Sequence, residues 1–260
     1  MLLTTDDGTR LNVVVEGRAD GPVLLMMHSI GCDLTLWDPQ AIALANEVSV
    51  VRYDARGHGR SDAPGGDYTA ERLGRDALAV LDAVGAAKAW LCGLSLGGIT
   101  GQWLALHAPG RVSGMAIANT AARIGTAEAW QARGDTALAE GMEALASVAI
   151  TRFFSEEFRA ARPEVVAPFL QRLLATAPRG YAGCCAVLRD ADFTRELAAI
   201  AVPAVVIGGM RDVPTPLSQA KELVASIPGA RLVALDAGHL SNVEQPAGFT
   251  AALRQLMRGE

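Results

Sequence analysis

Short, nearly unbroken apolar runs alternate along this chain with longer stretches in which apolar residues recur every three or four positions. The runs predict strands over Arg10–Val15, Val23–Met27, Val48–Tyr53, Ala89–Cys92, Val112–Ala118, Pro203–Ile207 and Arg231–Leu235. Several are β-branched or aliphatic throughout, as strands covered on both faces must be. Between them the helical period predicts helices near Pro39–Ala45, Thr69–Val84, Gly97–Ala108, Pro216–Ser226 and Asn242–Met257, with Pro109-Gly110 stopping the third. This alternation is the pattern of an α/β fold, a mostly parallel central sheet flanked by helices.

One region breaks the rhythm. From about 121 to 200 no strand is evident, only helical pattern interrupted by Gly134, Gly141, Pro163, Pro168, Pro178 and Gly180. Eighty structureless residues do not fit inside a compact domain. A helical cap is therefore expected over 121–200, inserted after the Val112–Ala118 strand. The core domain is then formed by 1–120 and 201–260. Ligands bind outside the carboxyl ends of such strands, which puts the cap over the site.

Composition narrows the partners. Of the 260 residues half are hydrophobic and a fifth charged, with a net charge of −5. That balance argues against nucleic acid or an anionic membrane as partner. There are 21 Arg against 2 Lys, so an arginine is not a ligand merely by being present. The segment Met1-Leu2-Leu3-Thr4-Thr5-Asp6-Asp7 does not read as a signal peptide, and no apolar run nears the roughly 18 residues of a membrane helix. Cys32, Cys92, Cys184 and Cys185 form no CxxC pair. Reduced thiols and a cytoplasmic location are expected, with no metal or other cofactor.

The chemistry centres on Gly93-Leu94-Ser95-Leu96-Gly97-Gly98, a G-x-S-x-G directly after a strand and directly before a helix. That context is what the nucleophile elbow of an α/β-hydrolase requires: a strained turn lifts the serine above the sheet while small neighbours let strand and helix approach. Serine needs a base. Of the four histidines, His107 ends a helix and reads as surface, and His58 sits in the turn Arg56-Gly57-His58-Gly59. His28 ends a strand and suits loop ordering. His239, between the last strand and the last helix, falls where such a fold places its base. Asp212 follows the Pro203–Ile207 strand, 27 residues before His239, and is the expected acid. Asn119, at the end of another strand where some relatives carry the acid, cannot serve. An oxyanion hole needs two backbone N–H donors; Leu96, after the serine, and Ile30, in His28-Ser29-Ile30-Gly31, are the candidates.

Together these segments resemble the 3-oxoadipate enol-lactonase family. The narrowest parts of the resemblance are Asn119-Thr120-Ala121-Ala122-Arg123-Ile124-Gly125 and Leu240-Ser241-Asn242-Val243-Glu244-Gln245-Pro246. The resemblance implies hydrolysis of 3-oxoadipate enol-lactone, in the β-ketoadipate branch of aromatic catabolism, through a Ser-His-Asp triad and an acyl-enzyme. Such a substrate carries a free carboxylate, for which an arginine is the natural partner. Arg133 is the candidate, with Trp130 three residues earlier on the same helical face to wall the ring; Arg123 and Arg189 are rivals. Family members usually have a proline or small residue directly after the acid, where Val213 stands here. A broader esterase, lactonase or perhydrolase, a carbon–carbon bond hydrolase of aromatic catabolism, and a non-catalytic receptor on this fold are the competing readings.

Overall fold

The computed structural model describes residues 1–259. Eight strands form one sheet: β1 (Leu2–Thr4), β2 (Arg10–Gly17), β3 (Val23–Met27), β4 (Ser49–Tyr53), β5 (Ala89–Leu94), β6 (Val112–Ala118), β7 (Ala204–Gly209) and β8 (Arg231–Leu235). Their order is β1-β2-β4-β3-β5-β6-β7-β8. The β1–β2 and β2–β4 pairs are antiparallel and every later pair is parallel. The α/β reading of the pattern thus holds. The three-residue β1 escaped it, being too short to show a period of its own. It forms because Asp6-Asp7-Gly8 turns the chain back and registers Leu3 against Leu11.

The helices are α1 (Asp38–Leu44), α2 (Ala70–Ala83), α3 (Leu96–His107), α4 (Ala127–Glu140), α5 (Glu143–Phe153), α6 (Glu156–Ala161), α7 (Pro163–Ala175), α8 (Pro178–Asp190), α9 (Leu217–Ser226), α10 (Ser241–Glu244) and α11 (Pro246–Arg258). The single helix expected over Asn242–Met257 is two. Pro246 lacks the N–H that would continue the first, and stands instead in the opening turn of the second.

Alternate strand residues feed two apolar clusters, one on each face of the sheet. Leu25, Met27, Val51, Leu91, Met115 and Val206 pack with α2, α3 and α9. Leu24, Met26, Val50, Cys92, Ala116 and Ile207 pack with α1 and α11, where Trp37 and Phe249 meet at 5.8 Å. Burial on both faces is why the strands read as continuous apolar runs.

Helices α4–α8 lie between β6 and β7 in the chain and close onto loops at the carboxyl edge of the sheet. At Gly57 and Gly180 the two backbones touch: a Cβ on either would stand 2.5 Å or 2.2 Å from the other's Cα. The Leu240 N–H donates to Phe153 O at 2.8 Å, and Glu244 accepts from both the N–H and Oγ of Ser155. Ser155 is also the residue whose hydroxyl caps α6.

Candidate active site

Ser95 stands at the turn from β5 into α3 with φ 56° and ψ −111°, left-handed backbone that a residue with a Cβ rarely adopts. The tertiary frame enforces it. The Ser95 N–H donates to Ala118 O at 2.9 Å, and its carbonyl accepts from Ile99 N–H and Thr120 Oγ, both at 3.0 Å. The flanking glycines are required by space. A Cβ on Gly93 would lie 2.2 Å from Gly97 O, and one on Gly97 would lie 2.0 Å from Met27 O.

Asp212 follows β7 and His239 follows β8; both are buried. His239 Nδ1 lies 3.1 Å and 3.0 Å from the two Asp212 carboxylate oxygens. A proton on Nδ1 leaves the Nε2 lone pair free to act as a base. The carboxylate also accepts from Asn119 Nδ2 at 2.8 Å, Thr215 N–H at 3.0 Å and Thr215 Oγ at 2.6 Å. Burial opposes ionisation of Asp212, but the neighbouring His239 and these hydrogen bonds outweigh it and hold its pKa below the usual carboxylate value. Among the described residues Ser95 Oγ makes no hydrogen bond with His239. Nucleophile–base contacts are commonly loose without substrate and tighten in the complex.

Asn119, set aside as an acid, has a different task. It sits at the end of β6 with φ 46°, donates to Asp212 and to Gly238 O, and accepts from Ser241 Oγ. It therefore ties the acid to the loop that carries His239. Thr215 is the other missed partner, and its signal was present as a threonine three residues after the acid. A short polar side chain there turns back on an Asp readily.

The two other buried histidines order the loops beneath the serine. His28 Nε2 accepts from Ala55 N–H at 2.9 Å while Nδ1 faces Ser29 O. His58 Nε2 accepts from Gly31 N–H at 2.9 Å while Nδ1 faces Arg56 O. Both roles require the neutral ring, and burial, followed by the nearby His28, brings the pKa of His58 down to about 3. With Gly31 N–H occupied, Ile30 N–H is left free in this loop. Among the described residues neither Ile30 N–H nor Leu96 N–H has an acceptor, as donors awaiting an oxyanion require. Beneath the same loops Arg56 pairs with buried Asp76 at 2.6 Å and 2.7 Å. His107 is exposed and stacks on Trp103.

Trp130 and Arg133 both line a pocket of about 100 Å³, together with Ile124, Gly125, Ala129, Arg152 and Pro214. Trp130 is fixed by its indole N–H on Ile124 O, and the Arg133 guanidinium lies 5.5 Å from its ring centre. Arg152, on α5, was not singled out from the sequence. Burial, and then the positive charge of Arg133, lowers its pKa, while it also senses Asp212. Among the described residues neither Arg133 nor Arg152 has a carboxylate within 4.0 Å. The rivals are engaged elsewhere: Arg189 pairs with Asp67 and Asp190, and half-exposed Arg123 faces Asp192 at 3.6 Å. Larger clefts of about 180 and 310 Å³ lie on other surfaces; Arg123 lines the smaller of the two, and neither contains Trp130, Arg133, Arg152, Ser95, Asp212 or His239.

The four cysteines are free and buried. Among the described residues no cluster of His, Cys, Asp or Glu is arranged to hold a metal, and no helix is long and apolar enough to cross a membrane.

Residues 22–246 match the family model described as the alpha/beta hydrolase fold. The chain is 40% identical to 3-oxoadipate enol-lactonase 2 of Acinetobacter baylyi, over 98% of this chain and 96% of that protein. Among solved structures, the enol-lactonase from Burkholderia xenovorans LB400 superposes with a TM-score of 0.97 at 39% identity, covering 99% of this chain and 100% of that one. A hydrolase from Pseudomonas aeruginosa superposes with a TM-score of 0.96 at 44% identity, covering 99% of this chain and 97% of the other.

Proposed function

The chain belongs to the α/β-hydrolase fold family and, within it, to the 3-oxoadipate enol-lactonases, and on that premise we propose that it hydrolyses 3-oxoadipate enol-lactone to 3-oxoadipate through Ser95, His239 and Asp212. The observation that carries this reading is Ser95 held at φ 56° at the turn into α3, with Asp212 hydrogen-bonded to His239 Nδ1 and, among the described residues, no acceptor for the N–H groups of Leu96 and Ile30.

His239 Nε2 takes the Ser95 proton as Oγ attacks the lactone carbonyl. The developing oxyanion is bound by the N–H groups of Ile30 and Leu96, each such donor being worth about 10²–10³ in rate. Asp212 fixes the imidazole tautomer and stabilises the imidazolium. Collapse of the tetrahedral intermediate breaks the ring C–O bond, and the leaving enol oxygen takes the proton from His239. The enol stays tethered in the acyl-enzyme and tautomerises to the ketone. His239 then activates water, which attacks the acyl carbonyl, and Ser95 is regenerated with its proton.

The substrate carboxylate binds Arg133, with Arg152 adding positive potential and Trp130 walling the ring. Two arginines that have, among the described residues, no acidic partner, in an otherwise apolar pocket, support an anionic substrate. Residues 121–200 act as a cap on the core domain formed by 1–120 and 201–260, and the reaction is one of the β-ketoadipate branch of aromatic catabolism.

The test is hydrolysis of freshly generated 3-oxoadipate enol-lactone beside p-nitrophenyl acetate, with Ser95→Ala as control. Strong preference for the lactone, lost in the variant, is expected. Good turnover of p-nitrophenyl acetate with a silent lactone would assign a broader esterase instead, and normal turnover by Ser95→Ala would refute the triad.

A further inference from the structure

Tyr181, near the start of α8, is fully buried and takes no part in the chemistry above. Its hydroxyl accepts from Arg133 Nε at 2.6 Å, and the Arg133 guanidinium lies 5.6 Å from its ring centre. Its ring stands 6.4 Å from that of His58, the residue that accepts Gly31 N–H. A Cβ on Gly31 would come within 3.4 Å of Tyr181 Cε2. One residue earlier, Gly180 abuts Gly57 backbone to backbone. Tyr181 is thus clamped on the loops beneath Ser95 at one side and grips a cap arginine at the other.

We propose that Tyr181 is a positioning residue for substrate recognition: its hydroxyl holds the Arg133 guanidinium in register with the oxyanion loop, so that the two terminal nitrogens face the substrate carboxylate. The inference rests on the reading of Arg133 as the partner of that carboxylate. An acidic residue in place of the hydroxyl would orient the guanidinium equally well but would cancel its charge. A neutral acceptor orients it and leaves the charge for the ligand. Among the described residues only Nε of Arg133 is hydrogen-bonded, which leaves the planar fork of terminal N–H donors available for a bidentate contact.

The experiment compares wild type, Tyr181→Phe, Arg133→Met and the double variant on 3-oxoadipate enol-lactone, which is anionic, and on p-nitrophenyl acetate, which is neutral. Tyr181→Phe keeps the packed ring and removes only the acceptor. It is expected to raise KM for the lactone about 10–150-fold, the range for a hydrogen bond to a charged group, with kcat and both constants for the neutral ester within about 2-fold. In the Arg133→Met background it should add nothing, because the bond it removes is already gone. A merely structural tyrosine would affect both substrates alike, or act equally in both backgrounds, and either result overturns the proposal. If Arg133→Met raises the lactone KM and Tyr181→Phe does not, the positioning role alone falls. If Arg133→Met leaves it unchanged, the reading of Arg133 falls and this inference with it. Should Tyr181→Phe fail to fold, NMR of the wild-type Arg133 Nε–H, assigned by its absence in Arg133→Met, reads the same bond. A proton protected from solvent exchange supports the proposal, and one that exchanges as fast as a free guanidinium overturns it.

Discussion

Replacing Ser95 by glycine should make the protein more stable than replacing it by alanine, although both changes abolish activity. Backbone held in such a sparsely populated region costs about 1–3 kcal/mol, and Ser95 at φ 56°, ψ −111° incurs it with a Cβ in place. Alanine keeps that cost. It also loses little else, because Ser95 Oγ makes no capping bond to α3. Ser95→Ala should therefore stay within about 0.5 kcal/mol of wild type, as for substitutions that touch no such feature. Glycine relieves the strain but adds unfolded-chain freedom worth about 0.5–1 kcal/mol. The net gain is about 1 kcal/mol, or about 2–4 °C in Tm for a chain of this size. Thermal and denaturant unfolding of the three proteins side by side would measure it. A Ser95→Gly variant no more stable than Ser95→Ala would refute the idea that the elbow stores strain for its nucleophile.

Three further outcomes are expected. His239→Ala should lower kcat by roughly 10⁴–10⁶ and Asp212→Asn by about 10⁴, each read from initial rates on the lactone; near-normal turnover by either would remove it from the mechanism. Because the folded pKa of Asp212 is depressed, its ionised form stabilises the fold above the unfolded carboxylate value of about 3.9 and ceases to do so as pH falls through the folded value. The stability gap between wild type and Asp212→Asn in urea titrations should thus be widest above about pH 4 and narrow below it; a constant gap would contradict the hydrogen-bonded carboxylate. Glu244→Ala removes both acceptors of Ser155 and should cost about 1–3 kcal/mol by urea unfolding, whereas no loss would mean that this anchor between α6 and the His239 loop contributes nothing.

The sequence by itself determined the strand–helix alternation, the sheet's buried runs and the Gly93–Gly98 turn. Those are local matters: a period of two or of three to four residues reports which side of a segment is covered, and a Ser between glycines at a strand–helix junction has few other uses. Apart from the Asp212–His239 pair, it did not determine which side chains would meet at the carboxyl edge of the sheet. Asn119 reaches Asp212 across 93 positions, and His28 and His58 each accept a backbone N–H from a loop 27 positions away. Arg152 faces Trp130 and Arg133 only because α5 and α4 close over one pocket, and the Arg133–Tyr181 bond joins residues 48 positions apart. Only the tertiary structure decided these, because hydrophobic period says that a residue is buried, whereas its hydrogen-bond partner depends on how strand order and helix packing bring distant loops together.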